Sequence, residues 1–170
     1  MSLQCRLSTG FDIFLIEELI QECFGDREQF GVLENIEKRY WLIFDGDKLV
    51  GMTGLLNDSP EYNGAEIDWT CILPKYRGRG VITNAIKEVI KNCDKDIYCS
   101  CWKNKGKDKM NLHNAMDELG FVLISEGHKK YNSKSTKTCA VCVNRVTDCY
   151  CQEDLYVKYH KKRNNPCANN

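Results

Sequence analysis

The chain has 170 residues, enough for one domain with a core of its own and rarely enough for two. Hydrophobic residues make up 42% and charged residues 28%, which excludes a disordered or fibrous chain. Lysines and arginines number 24, as do aspartates and glutamates, and this neutral total argues against a general nucleic-acid or membrane-surface binder.

No apolar run is long enough to span a bilayer. The start of the chain lacks the charge and apolar block of an export signal, so a cytoplasmic, reducing setting is expected. The 11 cysteines then need an explanation other than disulfides, because the count is odd and the chain is long for a disulfide scaffold. Spaced cysteines in a reducing setting more often bind metal. Isolated ones such as Cys5, Cys23, Cys71 and Cys93 read as small buried apolar residues.

Residues 3–7 form a candidate first strand. Thr9 with Asp12 three positions on has the form of a helix start. Phe11, Phe14, Leu15, Leu19, Ile20, Cys23 and Phe24 then make an apolar stripe, with Glu17, Glu18, Gln21 and Glu22 outside it. A weaker helix is expected over 27–39. Residues 40–44 and 48–56 are strands joined at the hairpin signal Asp45-Gly46. Residues 57–64 are a polar loop.

Residues 66–73 form a strand rich in Ile, Trp, Thr and Cys. Pro74 to Gly80 is a turn, and Val81, Ile82, Ala85, Ile86, Val89 and Ile90 repeat at helical spacing. Residues 97–102 are a strand, parallel to 66–73 if the helix between them is a right-handed crossover. Lys103, Lys105, Lys107 and Lys109 occupy a loop. Leu112, Ala115, Met116 and Leu119 mark a short helix ended by Gly120. Residues 121–126 and 155–159 are the last strands. Residues 1–163 read as one domain and 164–170 as a loose tail.

Strand, Gly-rich turn, helix is the arrangement that aims free backbone N–H groups and a positive dipole end at a phosphate. Arg77 and Arg79 add charge there. Two glycines with arginines can also be no more than a solvated turn. The full string Pro74-Lys75-Tyr76-Arg77-Gly78-Arg79-Gly80, following a strand that ends in Ile-Leu, resembles motif A of the GNAT superfamily of N-acetyltransferases. The element order, the Asp45-Gly46 hairpin and the run Asp117-Glu118-Leu119-Gly120-Phe121 also resemble that family, over most of the chain. Ile82 stands where the family prefers Gly or Ala.

The resemblance implies an α/β (α+β) acyl-CoA N-acyltransferase fold: a twisted, mixed, mostly antiparallel sheet with helices on both faces. It implies acetyl-coenzyme A as cosubstrate. The cosubstrate's cradle would be the backbone of Ile72, Leu73, Arg77, Gly78, Arg79, Gly80, Val81 and Ile82, with the pyrophosphate wrapped by the motif that opens at Arg77 and the Thr83 hydroxyl beside it. Its pantetheine arm would enter a gap where strands 66–73 and 97–102 splay apart. Asn111 or Asn114 is a candidate for the family's pantetheine-contacting asparagine. The lysine loop is either a contact for the 3′-phosphate or a solvated turn.

An alkylamine is protonated near neutral pH, with a pKa of about 10.4 for lysine, so a base is needed. Ala65-Glu66-Ile67 resembles the strand that carries the catalytic glutamate of the superfamily's histone acetyltransferases, and Glu66 is the first candidate. Asp68 shares its face by strand alternation and is the second. Both could instead line a polar groove. The family's usual tyrosine acid falls at Met116, which cannot give a proton. Histidine is the side chain suited to proton transfer near neutral pH, and His113 is the remaining candidate, although an exposed histidine on a short helix is the plainer expectation. Solvent could also supply the proton.

Cys139-x-x-Cys142 and Cys149-x-Cys151 lie between the last two strands. Two such pairs can close a tetrahedral zinc shell, which would be structural. Free or redox-active thiols and an iron–sulfur cluster are the alternatives. Cys99 and Cys101 share one face of a strand and read as packing.

The expected function is acetyl transfer to a primary amine of a small molecule or peptide. The competing expectation is a binding module that keeps the fold. It would contact protein or nucleic acid through the zinc knuckle and a basic end: Lys158, Lys161, Lys162 and Arg163 beside Tyr156 and Tyr159. The sequence leaves the acceptor and the oligomeric state open.

Overall fold

The computed structural model describes residues 3–24, 38–103, 111–128 and 152–160. In chain order the elements are β1 (Leu3–Leu7), a 3-10 turn (Gly10–Asp12), α1 (Ile13–Phe24), β2 (Lys38–Asp45) and β3 (Lys48–Leu56). There follow β4 (Ala65–Ile72), a second 3-10 turn (Pro74–Tyr76), α2 (Val81–Lys91), β5 (Ile97–Lys103), α3 (Asn111–Glu118), β6 (Val122–His128) and β7 (Gln152–Lys158). The expected helix over 27–39 falls largely outside the described residues, but Lys38 and Arg39 belong to β2 and not to a helix.

The strands form one seven-stranded sheet in the order β1-β2-β3-β4-β5-β7-β6. β4 and β5 are parallel and every other neighbouring pair is antiparallel. That is the mixed, mostly antiparallel sheet expected. α2 is the crossover between the two parallel strands.

The entry to α1 is held electrostatically. The Asp12 carboxylate accepts from the Thr9 N–H (2.7 Å) and hydroxyl (2.8 Å), and from both guanidinium nitrogens of Arg6 (2.8 and 2.7 Å). Arg6 first, and then the Thr9 bonds, hold the Asp12 carboxyl well below the usual carboxylate range against the opposing effect of burial. The helix phase differs from the sequence reading. Ile16, Leu19 and Ile20 are buried, whereas Phe11 is 95% and Phe14 80% exposed. The 3-10 turn takes up residues 10–12, so the inward stripe begins at Ile16 and runs i, i+3, i+4, i+7 to Cys23.

Alternation along the strands assigns the helices to faces. Ile16, Leu19 and Ile20 cluster with Leu42, Met52 and Cys71. Ile86 and Val89 of α2, with Ala115 and Met116 of α3, cluster with Trp41, Leu55 and Ile67 on the opposite face. At the far end of α3, Gly120 takes the left-handed φ of 68° that a helix stop requires, and Phe121 N–H returns to the Met116 carbonyl (3.0 Å).

Candidate active site

β4 and β5 pair at Ala65↔Ile97, Glu66↔Tyr98 and Ile67↔Cys99, and the ladder ends there. Both strands run on, β4 to Ile72 and β5 to Lys103. The sheet is therefore split between two parallel strands, beginning just past Ile67 and Cys99.

β4 also carries an irregularity on its other side. Met52 pairs with Cys71 and Gly54 with Asp68, so three steps on β4 match two on β3. The extra residue makes a bulge, and Trp69 within it has φ 45°, a conformation that bulky side chains seldom adopt. Strain of this kind persists where the surroundings impose it. Here Asp68 does so: its Oδ1 accepts the Trp69 N–H (3.0 Å) and its Oδ2 accepts from Lys38 Nζ (2.6 Å).

Below the split lies the Gly-rich turn. Gly78 (φ 71°) and Gly80 (φ 69°) are both left-handed, and a Cβ on either would meet open space. The Gly80 carbonyl accepts the first helical bond, from Asn84 N–H (3.0 Å). The N–H groups of Gly78, Gly80, Val81, Ile82 and Thr83 have no backbone acceptor among the described residues. Such a nest with the dipole end of α2 behind it suits an anion.

The nest opens one residue later than the sequence suggested. The Leu73 N–H is committed to the Val50 carbonyl (2.9 Å) and the Arg77 N–H to the Pro74 carbonyl (3.2 Å), so neither has its proton to offer a phosphate. Arg77 reaches back with Nε to the Ile72 carbonyl (3.3 Å), and its guanidinium remains exposed beside the turn. Ile82 is half-buried against both core clusters, and its branched side chain is turned to the core. The buried Tyr76 hydroxyl ties the turn to the β2–β3 hairpin through Asp45 Oδ2 (2.8 Å).

Glu66 and Asp68 share a face, as alternation implied. Glu66 pairs with Leu56 and Asp68 with Gly54, two apart on β3. The two carboxylates differ in company. Glu66 Oε2 accepts from the Ser59 hydroxyl (2.6 Å), which in turn accepts from the N–H groups of Glu61 (3.1 Å) and Tyr62 (3.2 Å). Asp68 is paired with a lysine. Tyr62 and Tyr98 stack at 4.8 Å beside Glu66. Sequence reading missed Ser59, Lys38 and this tyrosine pair. The Asn-Asp-Ser-Pro run at 57–60 was the available signal for a side-chain-capped turn.

His113 is not brought to this group. It is fully buried, where an exposed position was the plainer expectation, and its Nε2 lies 3.0 Å from Asp154 Oδ2. Asp154 pairs with Cys101, which alternation puts on the face opposite Tyr98 and Glu66. The imidazole thus joins α3 to β7 in the core. Asn111 opens α3. Met116 is fully buried, as a core residue would be.

Cys23 and Cys71 are not independent. Their thiols hydrogen-bond, which lowers Cys23 and, together with burial, raises Cys71. Tyr156 is core, and Lys158 Nζ donates to the Leu119 carbonyl (2.7 Å), so neither belongs to a basic docking end. Cys139, Cys142, Cys149 and Cys151, and Lys105, Lys107 and Lys109, lie outside the described residues. Among the described residues there is no group of three or more metal-ligating side chains, and no helix is long and apolar enough to cross a membrane.

A split parallel pair above an amide nest is the working arrangement of one class of enzyme, acyl transferases that bind a nucleotide thioester. The sequence model of the acetyltransferase (GNAT) family matches residues 11–121, and the chain belongs to that family. It is accordingly an acetyl-CoA-dependent acetyltransferase. Solved structures agree on the fold. A GNAT family acetyltransferase from Bacillus cereus superposes with a TM-score of 0.68 at 9% identity, covering 95% of this chain and 100% of that one. Arabidopsis thaliana NAA60, in complex with a bisubstrate analogue, gives 0.67 at 14% identity, covering 93% and 98%. An acyl-CoA N-acyltransferase from Pseudomonas aeruginosa gives 0.65 at 13%, covering 92% and 99%. No curated protein sequence matches.

Proposed function

We propose that the enzyme moves the acetyl group of acetyl-CoA directly to a primary amine of a small molecule or peptide. The observation that carries this reading is the juxtaposition of the amide nest, the split between β4 and β5, and Glu66 at the mouth of the split. The pyrophosphate rests on the N–H groups of Gly78, Gly80, Val81 and Ile82, with Arg77 and Arg79 supplying charge and Thr83 behind them. The pantetheine arm follows the split between Ile72 and the far end of β5, toward Asn111. Glu66, oriented by Ser59, takes a proton from the acceptor ammonium. The freed nitrogen then attacks the thioester carbon, the C–N bond forms, the C–S bond breaks to release the thiolate, and the nitrogen gives its second proton to solvent.

Asp68 serves as the brace of the bulge in this reading and not as the base, since Lys38 already balances its charge. His113 has no part in the proton path, and solvent protonates the thiolate. The cysteine insert is carried forward as a structural zinc site on its spacing alone. Metal analysis of the reduced protein, before and after a strong chelator, tests it; protein without bound metal ends it.

Gly80→Glu tests the cradle. The new side chain begins in open space, so the fold should tolerate it at about 1–2 kcal/mol of left-handed strain. Its carboxylate then stands against the phosphates. Calorimetric titration with acetyl-CoA should show binding to the natural protein and none to the variant. Equal affinity in the two would remove the pyrophosphate from this turn.

A further inference from the structure

Tyr40 presents a problem that the catalytic reading does not solve. Its side chain is only 5% exposed, and its buried hydroxyl has no hydrogen-bond partner among the described residues. An orphaned buried hydroxyl is costly, and a protein keeps one where something else satisfies it. Its position in the sheet narrows what that is. Tyr40 pairs with Gly54, and Gly54 pairs with Asp68, so the three lie in one row on the face that carries Glu66. The ring lies over Gly54 so closely that a Cβ there would stand 3.0 Å from its Cε1 and 2.7 Å from the Asp68 carbonyl. The residue under it is thus the one that admits an aromatic ring against the bulge. Burial first, and then the Asp68 carboxylate, push the phenol up from its ordinary value, so the hydroxyl keeps its proton.

We propose that the Tyr40 hydroxyl is a hydrogen-bond partner of the acceptor, contacting the nitrogen that becomes acetylated. A phenol suits this contact because its oxygen accepts an N–H while its proton remains available to the new amide oxygen. Tyr40 is then a positioning residue for the amine, while Glu66 removes the proton. The inference rests on the amine-acetyltransferase reading and deepens it.

Tyr40→Phe deletes the one oxygen and keeps the ring. The probe is a bisubstrate compound, coenzyme A joined through an acetyl link to n-butylamine, compared with coenzyme A alone by calorimetry. In the natural protein the joined compound should bind more tightly than coenzyme A. In the variant that advantage should fall about three- to tenfold, the worth of one hydrogen bond. Coenzyme A affinity should not change, and the free variant should melt no lower than the natural protein, because an orphan has been removed.

An undiminished advantage in the variant overturns the proposal. So does a lower melting point with weakened coenzyme A binding, which would mark the hydroxyl as structural. An advantage absent from both proteins overturns it as well. Failure of the natural protein to bind coenzyme A at all would strike the underlying reading instead, and so is told apart.

Discussion

At the scale of single residues, two carboxylates one step apart on the same face are separated in task by their neighbours. Glu66 is held by a neutral hydroxyl, and Asp68 by a lysine and a backbone N–H. Substitution should therefore affect them differently. Glu66→Gln is expected to lower kcat about a hundred- to ten-thousand-fold with little change in melting temperature, the range typical of a lost general base. Asp68→Asn should lower the melting temperature and leave more of the activity, because it releases Lys38 and weakens the bulge. Steady-state kinetics and thermal melts on the pair check both. Asp12 acts on stability alone. Its folded pKa is depressed, so the stability it contributes is present above the ordinary value of 3.8 and is lost as the pH falls toward the folded value. Asp12→Ala should cost about 1–2 kcal/mol at neutral pH, and less as the pH falls below 3.8, where the unfolded carboxylate is protonated while the folded one still carries its charge. Urea melts at two pH values read the difference.

At the scale of elements, the strands, α2 and the site turn were legible because periodicity and turn chemistry act locally. Val81, Ala85, Ile86 and Val89 are buried as their spacing requires. What escaped was set by context. The α1 stripe was misplaced because Phe11 and Phe14 are large and apolar, and no local signal reveals that they stay in solvent while Ile16 turns inward. His113 looked like a surface residue because its partner is 41 positions away. The bulge in β4 left no mark in the sequence, since Trp69 is a strand former like its neighbours. One glycine in β3 does record it afterwards. Gly54→Ala would press a methyl into the Asp68 carbonyl and the Tyr40 ring, neither of which can retreat without moving the bulge. A loss of about 1–3 kcal/mol is expected. For a chain of this size that is a fall of roughly 2–12 °C in melting temperature. A fall of similar size in Gly10→Ala, where the added methyl meets nothing and the backbone is not left-handed, would mean that glycine flexibility and not the close approach is responsible.

At the scale of the molecule, the sheet consists of two blocks, β1–β4 and β5–β7, that share three ladder pairs. α2 and the second core cluster, which includes Ile67, Ile97 and Cys99, hold them together on one face. Beyond Ile67 and Cys99 the facing edges of β4 and β5 have no ladder pairs, and the proposed function puts the pantetheine arm there. Binding there should be felt along the split before anywhere else. At a ligand concentration 100 times Kd, mass action raises stability by about 2.7 kcal/mol, roughly 5–11 °C in melting temperature. Hydrogen exchange locates the source. In the presence of acetyl-CoA, amides of residues 68–72 on β4 and 100–103 on β5 that face the split should slow, together with those of Gly78 to Ile82. Amides in the β1–β2 ladder, which the ligand does not touch, should slow only where they exchange through global unfolding. Uniform slowing across all seven strands would mean that the two blocks already behave as one and that the split is not where the cosubstrate lies. Slowing confined to 78–82 would leave the phosphates in the nest and remove the pantetheine arm from between the strands.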